Sequence, residues 1–456
     1  MSGPTSSSAS PGINLGLARI QSLLKLLQSP EQHFCVVQVA GTNGKGSVSA
    51  MIDQILGCAG YKTGRFNSPH LVATHDGVRI DRVVVPADAY ADTYRSVSQV
   101  DSDNGVGCSA FELQTTTAFV MFRNTGVEIA VVEVGVGGRL DATTACAPPA
   151  VCVFTAIGLD HVALLGGSLG AIAKEKAGIM RRGVGAAVFG RQDNPVVRAV
   201  LADWAKEVDC PVYDVDPVLD MPVDKDNVTT NATMARLVEY TYYGEKEQTL
   251  LPLLGQFQLE NAATAIKAVE ALTKVTPGRF SVTASVIQAA LPQVRWPGRL
   301  EWTDLPIGPS PTSPLRRVLV DGAHNAPAAR ALGDFVHSIR NPNRNITWVM
   351  AFTVGKDIPD VLKYLLHTGD SVYATVFSQP DQMPWINCVP AIDLVATISK
   401  AFGGVRCIAV SEGVKECFRR IVSTNDGCGD QNTDLVVLCG SLYLVADLYR
   451  AFALPL

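Results

Sequence analysis

No uncharged apolar stretch in this 456-residue chain is long enough to span a bilayer, and the segment Leu435 to Ala446 stops at Asp447. Membrane embedding is therefore excluded. No lysine- or arginine-rich run is present, and the formal net charge of −5 argues against general nucleic-acid binding. Eleven cysteines are scattered without a CxxC pair, and their number is odd. No secretory signal is apparent, so they read as reduced thiols, mostly buried, in a cytosolic protein. The opening MSGPTSSSASPG is serine-rich and acid-poor, but no arginine occurs before Arg19. A disordered tail over 1–12 and a cytoplasmic protein are expected, with mitochondrial import the lesser alternative. A GxGxxG loop followed by a ribose-binding acid is missing, which leaves hydride transfer poorly supported. No internal repeat is present. The acids Asp214, Asp216, Asp220, Asp224 and Asp226 lack EF-hand spacing and its glycine, so Tyr213 to Asn231 reads as a solvated loop.

What the chain does contain is enough for two domains, with 47% hydrophobic and 18% charged residues. Short β-branched runs alternate with helix-length segments, the pattern of parallel α/β architecture. Strands are expected at Cys35–Val39, Ile129–Val134, Ala150–Ala156 and Gly185–Phe189. A second series runs through Val318–Asp321, Ile346–Ala351, Ser371–Phe377, Val405–Val410 and Leu435–Cys439. Arg299 to Trp302 also reads as a strand, which puts the domain boundary near Pro297 and makes the proline-rich piece Pro306 to Pro314 a loop of the second domain.

The most telling feature is GTNGKGS: Gly41, Thr42, Asn43, Gly44, Lys45, Gly46 and Ser47. It follows an apolar run and precedes a helix-like segment, Val48 to Leu56. A strand that delivers such a loop to a helix N-terminus turns several backbone N–H groups and a positive dipole end toward one anion. Gly44 and Gly46 would let the backbone approach phosphate oxygens, Lys45 would neutralise charge, and the Ser47 hydroxyl would suit Mg²⁺. Only two residues separate Gly41 from the Gly-Lys pair, shorter than the usual phosphate loop. An ordinary strand-to-helix turn remains the alternative.

Other residues gain meaning beside that loop. Glu133 ends an apolar strand and can hold Mg²⁺ directly or through water, or else cap a neighbouring helix. His161 lies just beyond the next strand, at the edge where α/β ligands bind, although a lone histidine is as often structural. Ser168 is a candidate N-cap for Ser168 to Met180; Lys174 fits solvent, while Lys176, next to Ala177 and Gly178, suits close packing or a ligand. Later, Asp321 is a candidate for a ribose hydroxyl, His324 for a phosphate or acidic substrate, and Arg299 for a γ-phosphate. Together they describe a nucleotide site closed by two domains.

These segments resemble the folylpolyglutamate synthase and dihydrofolate synthase family of the Mur ligase superfamily. The matching blocks run in order: AGTNGKGS, NSPHL, FELQTTTAF, EVGVGGRLDATT, IGLDH, IAKEKAGI, WPGRLE, DGAHN and CGSLYL. The resemblance implies an α/β fold: a Mur-ligase-type P-loop ATP-binding domain with a parallel central sheet over 13–297, and a smaller Rossmann-like glutamate-ligase domain over 298–456. It implies ATP-dependent amide formation between a folate-type carboxylate and L-glutamate through an acyl phosphate, with two Mg²⁺ ions. By position, Ser47, Ser68, Glu133 and His161 look like the metal shell, and Lys176 matches a lysine that family members carbamylate. Asn261 and Asp321 resemble the adenine- and ribose-contacting positions, Arg299 the phosphate-contacting arginine, and His324 the histidine near incoming glutamate. A monomer acting on small molecules alone is expected.

The chain also departs from the family pattern. Phe257 stands where histidine is common, Ala326 follows DGAHN in place of proline, and Asp76-Gly77 and Asp81-Arg82 replace Glu-Arg and Asn-Gly near the folate side. INLGLARIQSLLKLL, WVMAFTVGK, DQMPWI and VVLCGSLYL look most like fungal-type dihydrofolate synthases, for which the acceptor is dihydropteroate. A folylpolyglutamate synthase, another Mur-type ligase and a non-catalytic nucleotide-binding homologue are the alternatives.

Overall fold

The apolar runs CVVQVA, IAVVE, VCVF and AAVF form the central strands of a sheet covered on both faces, where a strand is apolar at nearly every position, and shorter, more polar strands extend it at the edges. In the computed structural model, which describes residues 15–221, 235–307, 315–341, 344–425 and 435–456, they are β1 (Cys35–Ala40), β2 (Thr63–Phe66), β3 (Val78–Ile80), β4 (Val83–Val84), β5 (Ile129–Glu133), β6 (Val151–Phe154), β7 (Ala186–Phe189) and β8 (Val212–Asp214). Their order is β4-β3-β2-β5-β1-β6-β7-β8. The six strands from β2 to β8 in that order are parallel, and the β3–β4 hairpin adds antiparallel to the β2 edge. The chain leaves β1 for β2 beyond β5, and later enters β6 on the other side. β1 therefore ends at a topological switch point, where connections diverge and leave a crevice.

Both faces are filled. Ala130 and Val132 of β5 share a core with Phe119 and Phe122 of the helix Ala110–Thr125, which opens with a capping box between Ser109 and Glu112. Phe154 and Phe189 share a second core with Ile172 of the helix Leu169–Ala177 and with Val197 and Leu201 of the helix Pro195–Glu207. The helix Lys45–Cys58 packs on β5 and β2, and beside it the helix Phe257–Val275 packs on β6 and β7.

Three antiparallel strands form a smaller sheet: β9 (Leu219–Asp220), β10 (Arg236–Tyr242) and β11 (Glu245–Leu251), in the order β11-β10-β9. The third sheet holds β12 (Glu301–Leu305), β13 (Arg316–Val320), β14 (Ile346–Met350), β15 (Ser371–Thr375), β16 (Arg406–Val410) and β17 (Leu435–Cys439), ordered β12-β13-β17-β14-β15-β16. Only β12 is antiparallel to its neighbour. The described chain divides into two compact units, one of residues up to His70, Thr74–Pro252 and Phe257–Arg295, the other of Leu71–Ala73, Leu253–Gln256 and Trp296–Leu456. The α/β class and the parallel sheets agree with the expectation from sequence.

Several local expectations need correction. The helix expected at Val48 to Leu56 begins earlier, at Lys45, because Gly44 takes a left-handed conformation and starts it immediately. The strand expected at Ala150–Ala156 spans Val151–Phe154, and His161 is the N-cap residue of the short helix Val162–Leu165 that comes after it. Leu300, at φ +45°, breaks the strand expected at Arg299 to Trp302, and β12 starts at Glu301. The acidic stretch after Tyr213 is not all loop, since it contains the end of β8 and all of β9. Its part over 222–231, the tail 1–12 and residues 308–314 lie outside the described residues. Of the ten described cysteines, Cys146, Cys152, Cys210, Cys417 and Cys439 are buried and the others partly exposed, so "mostly buried" holds for half. All ten are free thiols. Among the described residues no helix is long and apolar enough to cross a membrane.

Candidate active site

The loop that follows β1 is held against the segment that follows β6 by backbone bonds and by the Thr42 side chain. Thr42 and Asn43 both donate backbone N–H groups to the Ala156 carbonyl, at 2.8 and 3.2 Å. The Thr42 hydroxyl donates to Gly158 O at 3.1 Å and accepts from Gly158 N at 3.0 Å. Two glycines are sterically required. A Cβ on Gly41 would stand 1.8 Å from Thr155 Oγ1; one on Gly44, at φ +90°, would stand 2.3 Å from Asn261 Oδ1. Gly46 is already inside the helix. Among the described residues no side chain caps the Lys45–Cys58 helix at Gly44, so its first N–H groups remain available to an anion.

Charge gathers beside that helix end. The β1–β5 register sets Val39 against Glu133, which brings the carboxylate level with the start of the loop. Glu133 shares the sheet face of Ile129 and Val131, opposite Ala130 and Val132. Lys45 Nζ lies 3.8 Å from Glu133 Oε1 and donates to Thr42 O at 3.3 Å. Asn67 Nδ2 donates to Glu133 Oε2 at 2.7 Å. Glu133 thus orients a lysine and an amide. Behind it, Arg65 is buried and forms an ion pair with buried Asp53 at 3.4 Å. Burial, partly offset by Asp53, lowers the Arg65 pKa to about 10.

Lys176 approaches the same loop from the helix Leu169–Ala177. Ser168 caps that helix by accepting from Ala171 N, as expected from sequence. Lys174 is exposed, whereas Lys176 is 5% exposed and donates from Nζ to Gly41 O at 2.7 Å. Burial first, then the neighbouring Lys45 charge, bring the Lys176 pKa down to about 7, against the opposing pull of Asp160 and Asp141. The neutral amine is therefore well populated near neutral pH. His161, at φ +49°, has a half-exposed side chain and lies 3.9 Å from Asp160 Oδ2.

A magnesium ion can be tested against these residues. Ser68 Oγ is buried and has no hydrogen-bond partner among the described residues, an oxygen left wanting a donor or a cation. It follows Asn67, the residue that holds Glu133. Ser47 is also buried and lies in the first turn of the uncapped helix. Among the described residues no group of three or more His, Cys, Asp or Glu side chains could hold a metal. A donor set of two hydroxyls and one carboxylate suits an ion that keeps much of its coordination for water and phosphate oxygens.

In the second unit, Asp321 follows β13 and is buried. Its Oδ2 accepts from Leu300 N and its Oδ1 from Ala323 N, both at 2.8 Å. The carboxylate thus ties the WPGRL segment to the DGAHN turn. Burial raises its pKa, against Arg299 and these two N–H groups. His324 Nδ1 lies 3.0 Å from Gly322 O, which places the proton of the neutral ring on Nδ1. Ala326 leaves this turn intact, because Asn325 caps the helix Ala326–Ile339 by accepting from Ala328 N and a proline still occupies the first turn. Arg299 Nη1 donates to Gly298 O at 2.9 Å.

The structure therefore joins Lys45, Glu133 and the loop directly, links Lys176 to Gly41, and links Asn261 to the Ser47 helix through Gln258. Asn67 and Gln258 were not singled out from sequence. Each sits in a block that was noted, NSPHL and the segment around Phe257, but a buried amide carries no signal without its partner.

Residues 39–269 match the Mur ligase middle domain, and residues 310–451 match the C-terminal domain of dihydrofolate synthetase. A probable dihydrofolate synthetase of Schizosaccharomyces pombe is 36% identical over 440 residues, covering 96% of this chain and 98% of that one. The dihydrofolate synthetase of Saccharomyces cerevisiae is 32% identical over the same length, with the same coverage. Among solved structures, Mycobacterium tuberculosis folylpolyglutamate synthase complexed with ADP superposes with a TM-score of 0.79 at 28% identity, covering 96% of this chain and 94% of that one. Escherichia coli FolC in complex with DHPP and ADP does so at 0.76 and 26%, covering 98% and 95%. With its strand order, its loop and these relatives taken together, the chain belongs to the dihydrofolate synthetase family of Mur ligases.

Proposed function

We propose that this protein is an ATP-dependent ligase that joins L-glutamate to 7,8-dihydropteroate to give 7,8-dihydrofolate. The observation that carries the ATP half is the Gly41–Ser47 loop at an uncapped helix N-terminus, with its Lys45 beside Glu133 and its Gly41 carbonyl taken by Lys176. The acceptor half rests on the two fungal relatives, each matched over nearly its whole length.

The chemistry follows from the acceptor. A carboxylate is a poor acyl donor, so one of its oxygens attacks the γ-phosphorus of ATP, ADP leaves, and an acyl phosphate forms. The glutamate amine then attacks the acyl carbon; inorganic phosphate leaves with the bond electrons and the nitrogen loses a proton. Lys45 and the first N–H groups of its helix offset the phosphate charge that would repel the incoming carboxylate. Ser47, Ser68, Glu133 and His161 would hold Mg²⁺, which would supply further charge neutralisation to the bound phosphates. Lys176, with its neutral amine available, suits reaction with carbon dioxide; the resulting carbamate would help to hold a second Mg²⁺. Asn261 and Asp321 are assigned to adenine and ribose, Arg299 to phosphate and His324 to glutamate. The protein is proposed to act as a cytoplasmic monomer.

Glutamate- and MgATP-dependent phosphate release, with 7,8-dihydropteroate and tetrahydrofolate compared and products identified by mass, tests the reading. Turnover of dihydropteroate alone is the expected result. Extension of tetrahydrofolate would make the protein a polyglutamylating or dual enzyme, in line with the Mycobacterium tuberculosis relative named for both activities, 33% identical over 81% of this chain. Silence with both would leave a nucleotide-binding homologue.

A further inference from the structure

Gln258 is fully buried in the first turn of the helix Phe257–Val275, one residue after Phe257. Its Nε2 donates to Ser47 Oγ at 3.3 Å, and its Oε1 accepts from Asn261 Nδ2 at 2.8 Å. Asn261 is in turn wedged against the loop, its Oδ1 occupying the space a side chain on residue 44 would need. A chain of three polar side chains thus runs from the bend of the phosphate loop to the hydroxyl two residues into its helix.

The direction of this chain matters. A serine hydroxyl has one proton and two acceptor lone pairs. In a helix it ordinarily turns back to donate to a carbonyl one turn earlier, which here would commit its proton to the Asn43 or Gly44 carbonyl. The Gln258 amide instead occupies one lone pair of Ser47. Among the described residues no other bond to Ser47 Oγ is made, which leaves its other lone pair and its proton for groups at the helix N-terminus. Asn261 favours this direction of the amide, because a reversed Gln258 would set its N–H₂ against the Asn261 Nδ2 donor.

We propose that Gln258 is a positioning residue that holds the Ser47 hydroxyl as an acceptor for the Mg²⁺ of the bound nucleotide, with Asn261 setting the direction of the amide. The inference rests on the assignment of Ser47 to the metal and extends it to a residue outside that set. Partners of this outer kind typically change metal affinity by about 10- to 100-fold.

The test is a double-mutant cycle on Gln258→Leu and Ser47→Ala, read as the Mg²⁺ concentration that half-saturates binding of a fluorescent ATP analogue, with no acceptor or glutamate present. Gln258→Leu should raise that concentration about tenfold, and should add nothing in the Ser47→Ala background. If its effect persists undiminished beside Ser47→Ala, or if Gln258→Leu leaves the titration unchanged while Ser47→Ala shifts it, Gln258 does not act through Ser47 and the proposal fails. An unchanged titration in Ser47→Ala removes Ser47 from the metal and overturns the proposal with it; the phosphate-release assay still judges the ligase reading separately. Thermal melts check folding, and Gln258→Met, which also lacks the donor, carries the same test should the leucine variant not fold.

Discussion

Lys45 stands between a carboxylate and a carbonyl, 3.8 Å from Glu133 and 3.3 Å from Thr42 O, poised over the uncapped helix end. Lys45→Ala removes the cation without touching the backbone that shapes the loop. Turnover should fall by roughly 100-fold or more, with an unchanged melting temperature; near-normal phosphate release would sink its assigned role. Lys176 makes a different prediction. Its pKa is about 7 in the folded protein and 10.5 is its ordinary value. Between those limits the unfolded chain holds a proton that the folded chain has lost, so the Lys176 contribution to stability rises with pH across that window. Below it both states are protonated, and the cost of burying the cation is present in full. In buffer free of carbon dioxide, wild type should therefore gain on Lys176→Met from pH 7 to pH 9.5, by at most about 1.4 kcal/mol per pH unit. Urea melts that run parallel for the two proteins across that range would contradict it. Lysine 45 and Glu133 were legible in sequence because loop and strand-end motifs announce them. Asn67 and Gln258 were not, because a buried amide is specified by its partner and the partner lies far along the chain.

At the level of elements, the phosphate loop depends on two close approaches that a glycine pattern only hints at. Gly44→Ala combines a left-handed backbone with a Cβ 2.3 Å from Asn261 Oδ1. Stability should drop by about 1–3 kcal/mol, and nucleotide affinity should fall with it. Adding Asn261→Ala relieves the contact but not the backbone strain, so only part of the lost stability should return in thermal melts. Full recovery would show that the conformation of residue 44 costs little. The helix start at Lys45 also illustrates why element ends were hard to read. Propensity favours Val48 onward, but the left-handed Gly44 and the bonds from Thr42 and Asn43 to Ala156 O set the true boundary. Short strands such as β2, with Gly64 and Arg65 inside it, were missed because their burial comes from neighbours. Gly64 lies against Phe122, and Arg65 is compensated by Asp53. Apolar β5 and β17 were legible from their own composition.

At the scale of the whole molecule, each unit has its own organising interior. In the second, fully buried Asp370 accepts from Ile346 N, His367 N, the Trp348 indole and Arg340, the last at 2.8 Å. It joins the start of β14 to the segment before β15. Asp370→Ala strips four donors of one acceptor and leaves Arg340 without its partner, so a loss of about 3 kcal/mol is expected, read as a lower urea midpoint. A shift no larger than that of an exposed aspartate such as Asp393 would refute the hub. The sequence by itself determined the α/β class, the position of the phosphate loop and the family, because these depend on local pattern: apolar period, glycine spacing and ordered blocks. Tertiary structure alone decided which side chains meet there. It set Glu133 level with Val39 through strand register, buried Lys176 against Gly41, and brought Gln258 to Ser47 across a helix pair. Such meetings depend on packing between segments distant in sequence, and no local pattern encodes them.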